Sequence, residues 1–259
     1  MENGRQTNLS IIILTKNEAT MIGDCLRSVK SLLSKEVIVV DDNSSDTTGE
    51  IAKQNGATVL LHTKKDFAEA RNFGLSKVTS EWVLYVDADE RISPELSQEI
   101  LDCISHTHNV AFEIPRQNFY LGKKWPYEEK LTRLFKKTSL SGWYGEVHES
   151  PKVSGEIGKL THPLIHYTHR NLSEMVENTI IWSKIEAELR LKAHHPPVSW
   201  WRIPRVMIPV FFAYYISQGG WKVGTVGLIE SIYQAFSIFI TYARLWEMQN
   251  STKFKVHSS

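Results

Sequence analysis

Cysteine is nearly absent from this 259-residue chain: Cys25 and Cys103 are its only thiols. Two thiols cannot build a disulfide scaffold or a four-ligand zinc site, and they fit a reducing compartment. Excess charge of either sign is also missing. Thirty Lys and Arg stand against 29 Asp and Glu, for a net charge near +1. That balance argues against a strongly basic nucleic-acid binder, so no nucleic-acid partner is expected. The first residues, Met1 to Asn8, lack the apolar core of a secretory signal. Long hydrophobic runs are scarce: the longest uncharged stretch, Val206 to Trp221, has 16 residues. A membrane-spanning helix needs ~20. Neither G-x-G-x-x-G after the first strand nor G-x-x-x-x-G-K-[ST] occurs. Their absence argues against a dinucleotide oxidoreductase and a P-loop NTPase. The remaining composition, 42% hydrophobic and 23% charged, excludes a disordered chain and supports a sizeable core.

What is present begins with alternating strand and helix signals. Leu9 to Leu14 reads as a buried parallel strand, followed by polar Thr15-Lys16-Asn17-Glu18. Met21, Ile22, Cys25, Leu26, Val29, Leu32 and Leu33 share a helical face. Glu36 to Val40 is a second strand, and a short helix after it stops near Gly56. Val59 to His62 is a third strand, Ala68 to Leu75 a helix weakened by Gly74, and Trp82 to Val86 a fourth strand. Ser93-Pro94 starts a helix with an N-cap and a proline at its first position. This alternation predicts an α/β fold with a mostly parallel sheet. Ligands of such sheets bind outside the carboxyl ends of the strands. The loops 15–18, 41–46 and 87–89 therefore belong on one edge.

After about residue 106 the pattern changes. Val110 to Pro115 and Leu131 to Lys136 read as strands, with Trp125-Pro126-Tyr127 as a rigid loop between them. A strand lies near Leu164 to His169, and Ser173 caps a helix that runs to Lys192. His194-His195-Pro196-Pro197 breaks the chain before a C-terminal apolar segment that opens at Trp200-Trp201.

Four groups of residues carry chemistry. Asp87-Ala88-Asp89 at a strand end can hold a hard divalent cation, Mg²⁺ or Mn²⁺, that neutralises a leaving diphosphate. Standing alone, an Asp-x-Asp is more often a solvated turn. Asp41-Asp42 ends another strand: either carboxylate can accept from a ribose or base, while Asp46 caps the next helix. Arg71 can pair with diphosphate oxygens or form a surface salt bridge with Glu69 or Asp66. His148-Glu149 can supply a catalytic base, or a loop acid beside a buried histidine. It is no zinc-protease motif, since the second histidine is missing.

LSIIILTKNEA, EVIVVDDNSSDTT, ARNFGL and WVLYVDADE, in this order and spacing, resemble the family 2 glycosyltransferases of GT-A fold. The likeness covers roughly residues 9–100. The stretch from Trp125 through Arg133-Leu134-Phe135 to Val147-His148-Glu149 is similar to the branch of lipopolysaccharide inner-core β-1,4-glucosyltransferases. The resemblance implies an inverting transferase using a UDP-sugar, UDP-glucose above all, and a heptose acceptor. Thr15, Asn17 and Glu18 match its first nucleotide loop, and Asp42, with Asp41, the acid that holds uridine. Arg71 matches the arginine near the ribose and diphosphate. Asp87 and Asp89 match the metal motif, Asp89 as the direct ligand, with Asp87 and Ala88 also beside the nucleotide sugar. Many members carry the base in a Glu-Asp pair; this chain has His148-Glu149 there, with Glu146 nearby. The Q-x-x-R-W motif of processive synthases is absent, which implies a single sugar added.

The implied domains are a polar tail (1–8), a catalytic domain (9–170, with halves 9–105 and 106–170), a C-terminal helical region (171–250) and a tail (251–259). Residues 200–246, with Trp200, Trp201, Arg202 and Arg205, fit a peripheral or monotopic contact with a membrane surface. A lipid-linked acceptor would place the enzyme on the cytoplasmic face of a bacterial inner membrane. The same helices could instead pack under the catalytic domain or form a homo-oligomer. Competing readings are a polyprenyl-phosphate acceptor, a nucleotidyltransferase, which the loop at Thr15 does not fit, and a non-catalytic scaffold.

Overall fold

The computed structural model describes residues 6–145 and 149–251. Glu146 and His148, and residues 1–5 and 252–259 of the expected tails, lie outside the described residues. The chain divides into two compact units, Met1–Gln117 with Glu128–His166, and Asn118–Tyr127 with Tyr167–Ser259.

The first unit is built on a parallel sheet. β1 (Thr7–Thr15), β2 (Ser34–Asp41), β3 (Thr58–Leu61) and β4 (Trp82–Asp87) lie in the order β3-β2-β1-β4. Every residue of β1 from Leu9 to Leu14 is buried, and alternate side chains enter opposite faces. Leu9, Ile11 and Ile13 pack with Ile22, Cys25 and Leu26 of α1 (Ile22–Val29) and with Leu96 and Ile100 of α4 (Pro94–His106). Ile12 and Leu14 pack with Ile38, Val40 and with Ala68 and Ala70 of α3 (Phe67–Lys77). Helices thus cover both faces, which explains why the strands read as continuous apolar runs. Gly74, costly in a helix, permits the contact: a Cβ there would sit 2.8 Å from Ile12 Cγ2. Asp66 caps α3 by accepting from the Glu69 N–H, and Ser93 caps α4 through the Leu96 N–H with Pro94 inside the first turn. α2 (Thr48–Gln54) ends before Gly56, whose φ is +88°.

Beyond β4 the sheet continues through β7 (Lys123–Lys136), β6 (Ala111–Tyr120), β11 (Leu164–Thr168) and β5 (Glu90–Arg91), and β7 runs antiparallel to β4. β10 (Ile157–Lys159) pairs with β6. β8 (Leu140–Tyr144) and β9 (Ser150–Val153) form a separate antiparallel pair. Two local expectations change. Trp125-Pro126-Tyr127 is part of β7 rather than a loop, because the turn falls earlier, at Leu121 (φ +46°) and Gly122 (φ +76°). Two successive positive-φ residues match the right-handed twist of a hairpin. α5 (Leu172–Lys192) is capped by Asn171, which accepts from the Glu174 N–H at 2.9 Å, and not by Ser173.

In the second unit α5 and α6 (Arg202–Phe212) pack against α7 (Thr225–Asn250). Among the described residues, α7 is the one helix long and apolar enough to cross a membrane. Glu230, with no exposed surface, lies within it and is held by His169 Nδ1 at 3.0 Å and by Gln234. The segment between α6 and α7 meets α7 backbone to backbone: a Cβ on Gly227 would overlap the Gly220 carbonyl oxygen. Gly227→Ala is therefore expected to cost about 1–3 kcal/mol by overpacking. Gly23→Ala, with only side chains at 3.4–3.5 Å, should be neutral or stabilising. Thermal midpoints of the two variants check the contrast.

Candidate active site

The parallel register brings three strand ends level: Thr15 pairs with Asp41, and Leu14 with Asp87. The loops after β1 and β2 are stapled together. Asn17 (φ +54°) donates its N–H to Ser44 Oγ, and its Oδ1 accepts from the Ser45 N–H, each at 2.8 Å. The Glu18 N–H reaches Thr48 Oγ1 at 2.8 Å, and the Ala19 N–H reaches Asp46. Asp46 also accepts from the Thr48 N–H at 3.0 Å, but it stands one residue before the N-cap of α2, which is Thr47 and makes no side-chain capping bond, so the expected cap is not formed by Asp46. Thr15 Oγ1 is buried and has no hydrogen-bond partner among the described residues. The paired acids part company here. Asp41 closes its own turn by accepting from Ser44 N–H and Oγ. Asp42 faces two cations, Lys16 at 3.0 Å and Lys64 at 3.5 Å. Burial alone would raise its pKa, but the lysine contacts outweigh it and hold the carboxyl below its ordinary value.

Asp87 and Asp89 diverge as well. Both oxygens of Asp87 are taken by guanidinium groups: Arg71 Nη2 lies 3.2 Å from Oδ1, and Arg133 Nη2 lies 2.7 Å from Oδ2. Arg71 and Arg133 are 2% and 5% exposed, so both guanidinium groups are buried and neither pair is a surface bridge, while the Asp87 side chain keeps some exposure. Burial tends to raise the Asp87 pKa, but Arg133, Arg71 and Arg116 hold it well below the usual carboxylate range. The resulting stabilisation is present above that range and is lost only as pH falls through the depressed value. Fully buried Glu90 fixes the turn by accepting the Asp87 N–H at 2.9 Å, with Arg116 at 3.5 Å from its carboxylate. The Ala88 methyl packs in the core, leaving its backbone to the turn.

Arg71 also binds Glu149, with Nε 3.0 Å from Oε1. The four groups form a chain, Arg133–Asp87–Arg71–Glu149. Two aromatic rings support its centre: the Arg71 guanidinium lies 4.8 Å from the Trp143 ring and 5.5 Å from Tyr85. Asn72 clamps the Trp143 backbone in both directions, N–H to Oδ1 at 2.8 Å and Nδ2 to the carbonyl at 2.9 Å. That clamp fixes the strand from which the chain leads to Glu149.

Asp89 Oδ2 instead lies 3.2 Å from His166 Nε2. β5 pairs with β11 so that His166 stands opposite Glu90, next to Asp89. Burial would lower the His166 pKa, but the hydrogen bond and charge of Asp89 outweigh it and raise it. The Asp89 carboxylate suits Mg²⁺ or Mn²⁺, and a neighbouring imidazole nitrogen favours the transition metal Mn²⁺ over Mg²⁺, which takes oxygen ligands, with further positions left to phosphate oxygens and water. Among the described residues no group of three or more acidic, His or Cys side chains gathers to enclose an ion. Of the two motif carboxylates, Asp89 with His166 beside it could hold a divalent cation, whereas both oxygens of Asp87 are engaged by arginines.

A family model described as Glycosyl transferase family 2 matches residues 10–155, more than half of the chain. The chain belongs to glycosyl transferase family 2. This glycosyltransferase is 30% identical over 257 residues to an uncharacterized glycosyltransferase of Rickettsia prowazekii, covering 93% of this chain and 87% of that one. It is 23% identical to the lipopolysaccharide core biosynthesis glycosyltransferase LpsC of Rhizobium meliloti, over 92% of both chains. The crystal structure of S. aureus TarS in complex with UDP-GlcNAc aligns with a TM-score of 0.50 at 15% identity, over 96% of this chain and 93% of that one. The shared architecture is the GT-A fold, here with a C-terminal helical region. The residues that motif reading of the glycosyltransferase missed are Glu90, Arg116, Arg133 and His166. Each is a charged or titratable side chain inside or beside an apolar strand, such as LIHYT or LTRLF, and that was the available signal.

Proposed function

We propose that this glycosyltransferase moves a hexose with inversion from a UDP-sugar, UDP-glucose in the first place, to a lipid-linked saccharide of the lipopolysaccharide inner-core type. The observation that carries this reading is the Asp89–His166 pair that follows the end of β4, together with the Glu149 held by Arg71, which also binds Asp87 of the same motif. The acceptor reading is supported by the named role of LpsC. It is also supported by the exposed apolar side chains of the second unit, among them Trp200, Trp201, Ile208 and Phe212. These fit a monotopic contact with the cytoplasmic face of the inner membrane, with Arg202 and Arg205 toward anionic headgroups.

In this reading Asp42 receives the uridine, in a cradle formed by Thr15, Asn17 and Glu18. Asp89 and His166 would hold a divalent cation, which supplies positive charge to the leaving diphosphate. Only Oε1 of Glu149 is engaged among the described residues, so Oε2 accepts the proton of the acceptor hydroxyl. The oxygen forms its bond to the anomeric carbon on the face opposite the diphosphate, and UDP leaves with the bonding electrons. Arg71 orients Glu149 and is itself fixed by Asp87. Positioning and preorganised charge supply most of the acceleration.

UDP release from a panel of UDP-sugars tests the reading, with and without Mn²⁺ or Mg²⁺, in the presence of inner-core lipopolysaccharide lacking its first hexose. The expected result is acceptor-dependent release from UDP-glucose whose stimulation by metal disappears in Asp89→Ala. Release with polyprenyl phosphate in place of the saccharide would overturn the acceptor. No release and no UDP binding would overturn the transferase mechanism.

A further inference from the structure

We infer that the second unit carries a separate saccharide-binding pocket, formed where the segment between α6 and α7 meets the start of β7, and that it takes a sugar of a lipid-linked glycan. The inference rests on the acceptor reading above and names a site for it. The cavity has a volume of about 250 Å³ and is lined by Pro126 and Tyr127 on one side and by Ile216–Gly219, Trp221 and Lys222 on the other.

The walls are held by backbone geometry that only this local sequence allows. After α6 the chain makes a π-helical turn, Ala213–Ser217, and then passes through Gly219 at φ +81°. π-turns and left-handed residues are retained where a local shape requires them. Gly220 lies so close to the Trp125 ring that a Cβ would stand 2.8 Å from Cη2. The Trp125 indole N–H donates to Gln218 Oε1 at 2.9 Å, which orients the amide and leaves its NH2 as the donor end.

The lining matches a pyranose and fits poorly with an isolated phosphate. A pyranose ring has an apolar C–H face and a rim of hydroxyls. Tyr127 and Trp221 offer ring faces and are 49% and 55% exposed, although both are large enough to be buried elsewhere. Ser217, Gln218 and Lys222 place a hydroxyl, an amide and an ammonium around them, the ammonium 5.6 Å from the Trp221 ring centre. A phosphate site would need several cations or a helix N-terminus, and the lining has one lysine. The lipid is argued from continuity. Ile208, Phe212 and Ile216 recur every fourth residue and are 52–55% exposed, so one apolar stripe ends at Ile216 in the pocket wall. A sugar in the pocket would have its acyl anchor along that stripe.

The test measures binding of a lipid-free inner-core oligosaccharide to the full chain by calorimetry and saturation-transfer NMR, beside the same glycan with its lipid. Trp221→Ala and Tyr127→Ala are compared with Trp246→Ala, an exposed tryptophan outside the pocket. Each pocket variant is expected to weaken oligosaccharide binding roughly tenfold, the loss of one ring-face contact. Trp246→Ala should leave binding unchanged, and all thermal midpoints should match the wild type, because the altered rings are half exposed. The lipid-linked form should bind more tightly than the free glycan, and Phe212→Asp should abolish only that difference. Binding that is undetectable, or equal in wild type and both pocket variants, overturns the pocket. Binding through Trp221 without any UDP release keeps the pocket and overturns the transferase mechanism instead.

Discussion

Glu149→Gln is expected to lower kcat by roughly 10²–10⁴-fold, the usual contribution of a general base. Its affinity for UDP and its thermal midpoint should stay at the wild-type values. Glutamine keeps the shape of the side chain and an oxygen for the Arg71 N–H, which binds Glu149 at 3.0 Å. It removes only the capacity to take a proton. The variant therefore separates two roles that the ion pair alone does not. A base shows its loss in kcat. A purely structural partner of the 2%-exposed Arg71 shows it in stability and nucleotide binding. Steady-state UDP release, calorimetry with UDP and thermal unfolding give the three readouts. A kcat within a few-fold of wild type would move the base to another group, and Glu146→Gln and His148→Ala would then be measured in the same assay.

Arg133→Leu should lower the stability of the chain by about 3–5 kcal/mol, because it takes one of two guanidinium partners from Asp87 and a cationic neighbour from fully buried Glu90, leaving them to Arg71 and Arg116 alone. At roughly 2–4 °C per kcal/mol for a protein of this size, the thermal midpoint falls by about 6–20 °C. Arg133 is 5% exposed, its Nη2 is 2.7 Å from Asp87, and fully buried Glu90 lies 3.9 Å away. The pH dependence has a definite sign. The depressed pKa of Asp87 means that its folded-state pairing stabilises above the ordinary carboxylate range and fades only in stronger acid. The gap between wild type and variant should thus be widest at neutral pH and narrow as the solution is acidified. Replacing Asp87 and Arg133 together by leucine should recover part of the loss, since removing both charges removes the desolvation cost with the attraction. Equal midpoints for wild type and Arg133→Leu at neutral pH would show that the buried charges do not hold this part of the fold.

The sequence by itself determined the framework. Apolar runs such as Leu9 to Leu14, Ile38 to Val40 and Trp82 to Val86 are local signals, and all are buried strands. Caps such as Ser93 with Pro94 and the stop at Gly56 are equally local, because a helix end is satisfied by residues within one turn. The parallel sheet then placed Thr15, Asp41 and Asp87 on one edge without further information. The short turn at Leu121-Gly122 escaped because leucine seldom adopts positive φ, and the choice of Asn171 over Ser173 turned on a single residue of register.

The tertiary structure decided which carboxylate does what. Asp87 and Asp89 are two residues apart in one motif, yet one is taken by arginines and the other stands beside a histidine. That outcome depends on strand pairing. Leu84 of β4 faces Leu134 of β7, which brings Arg133 toward the end of β4 and Asp87. Glu90 faces His166 across β5 and β11, which brings the imidazole to Asp89. Arg71 and Glu149 meet across 78 residues. Spacing along the chain carries no record of such partners. A charged group buried on folding must find its counter-charge among whatever the sheet order brings near, and that order is a property of the whole fold.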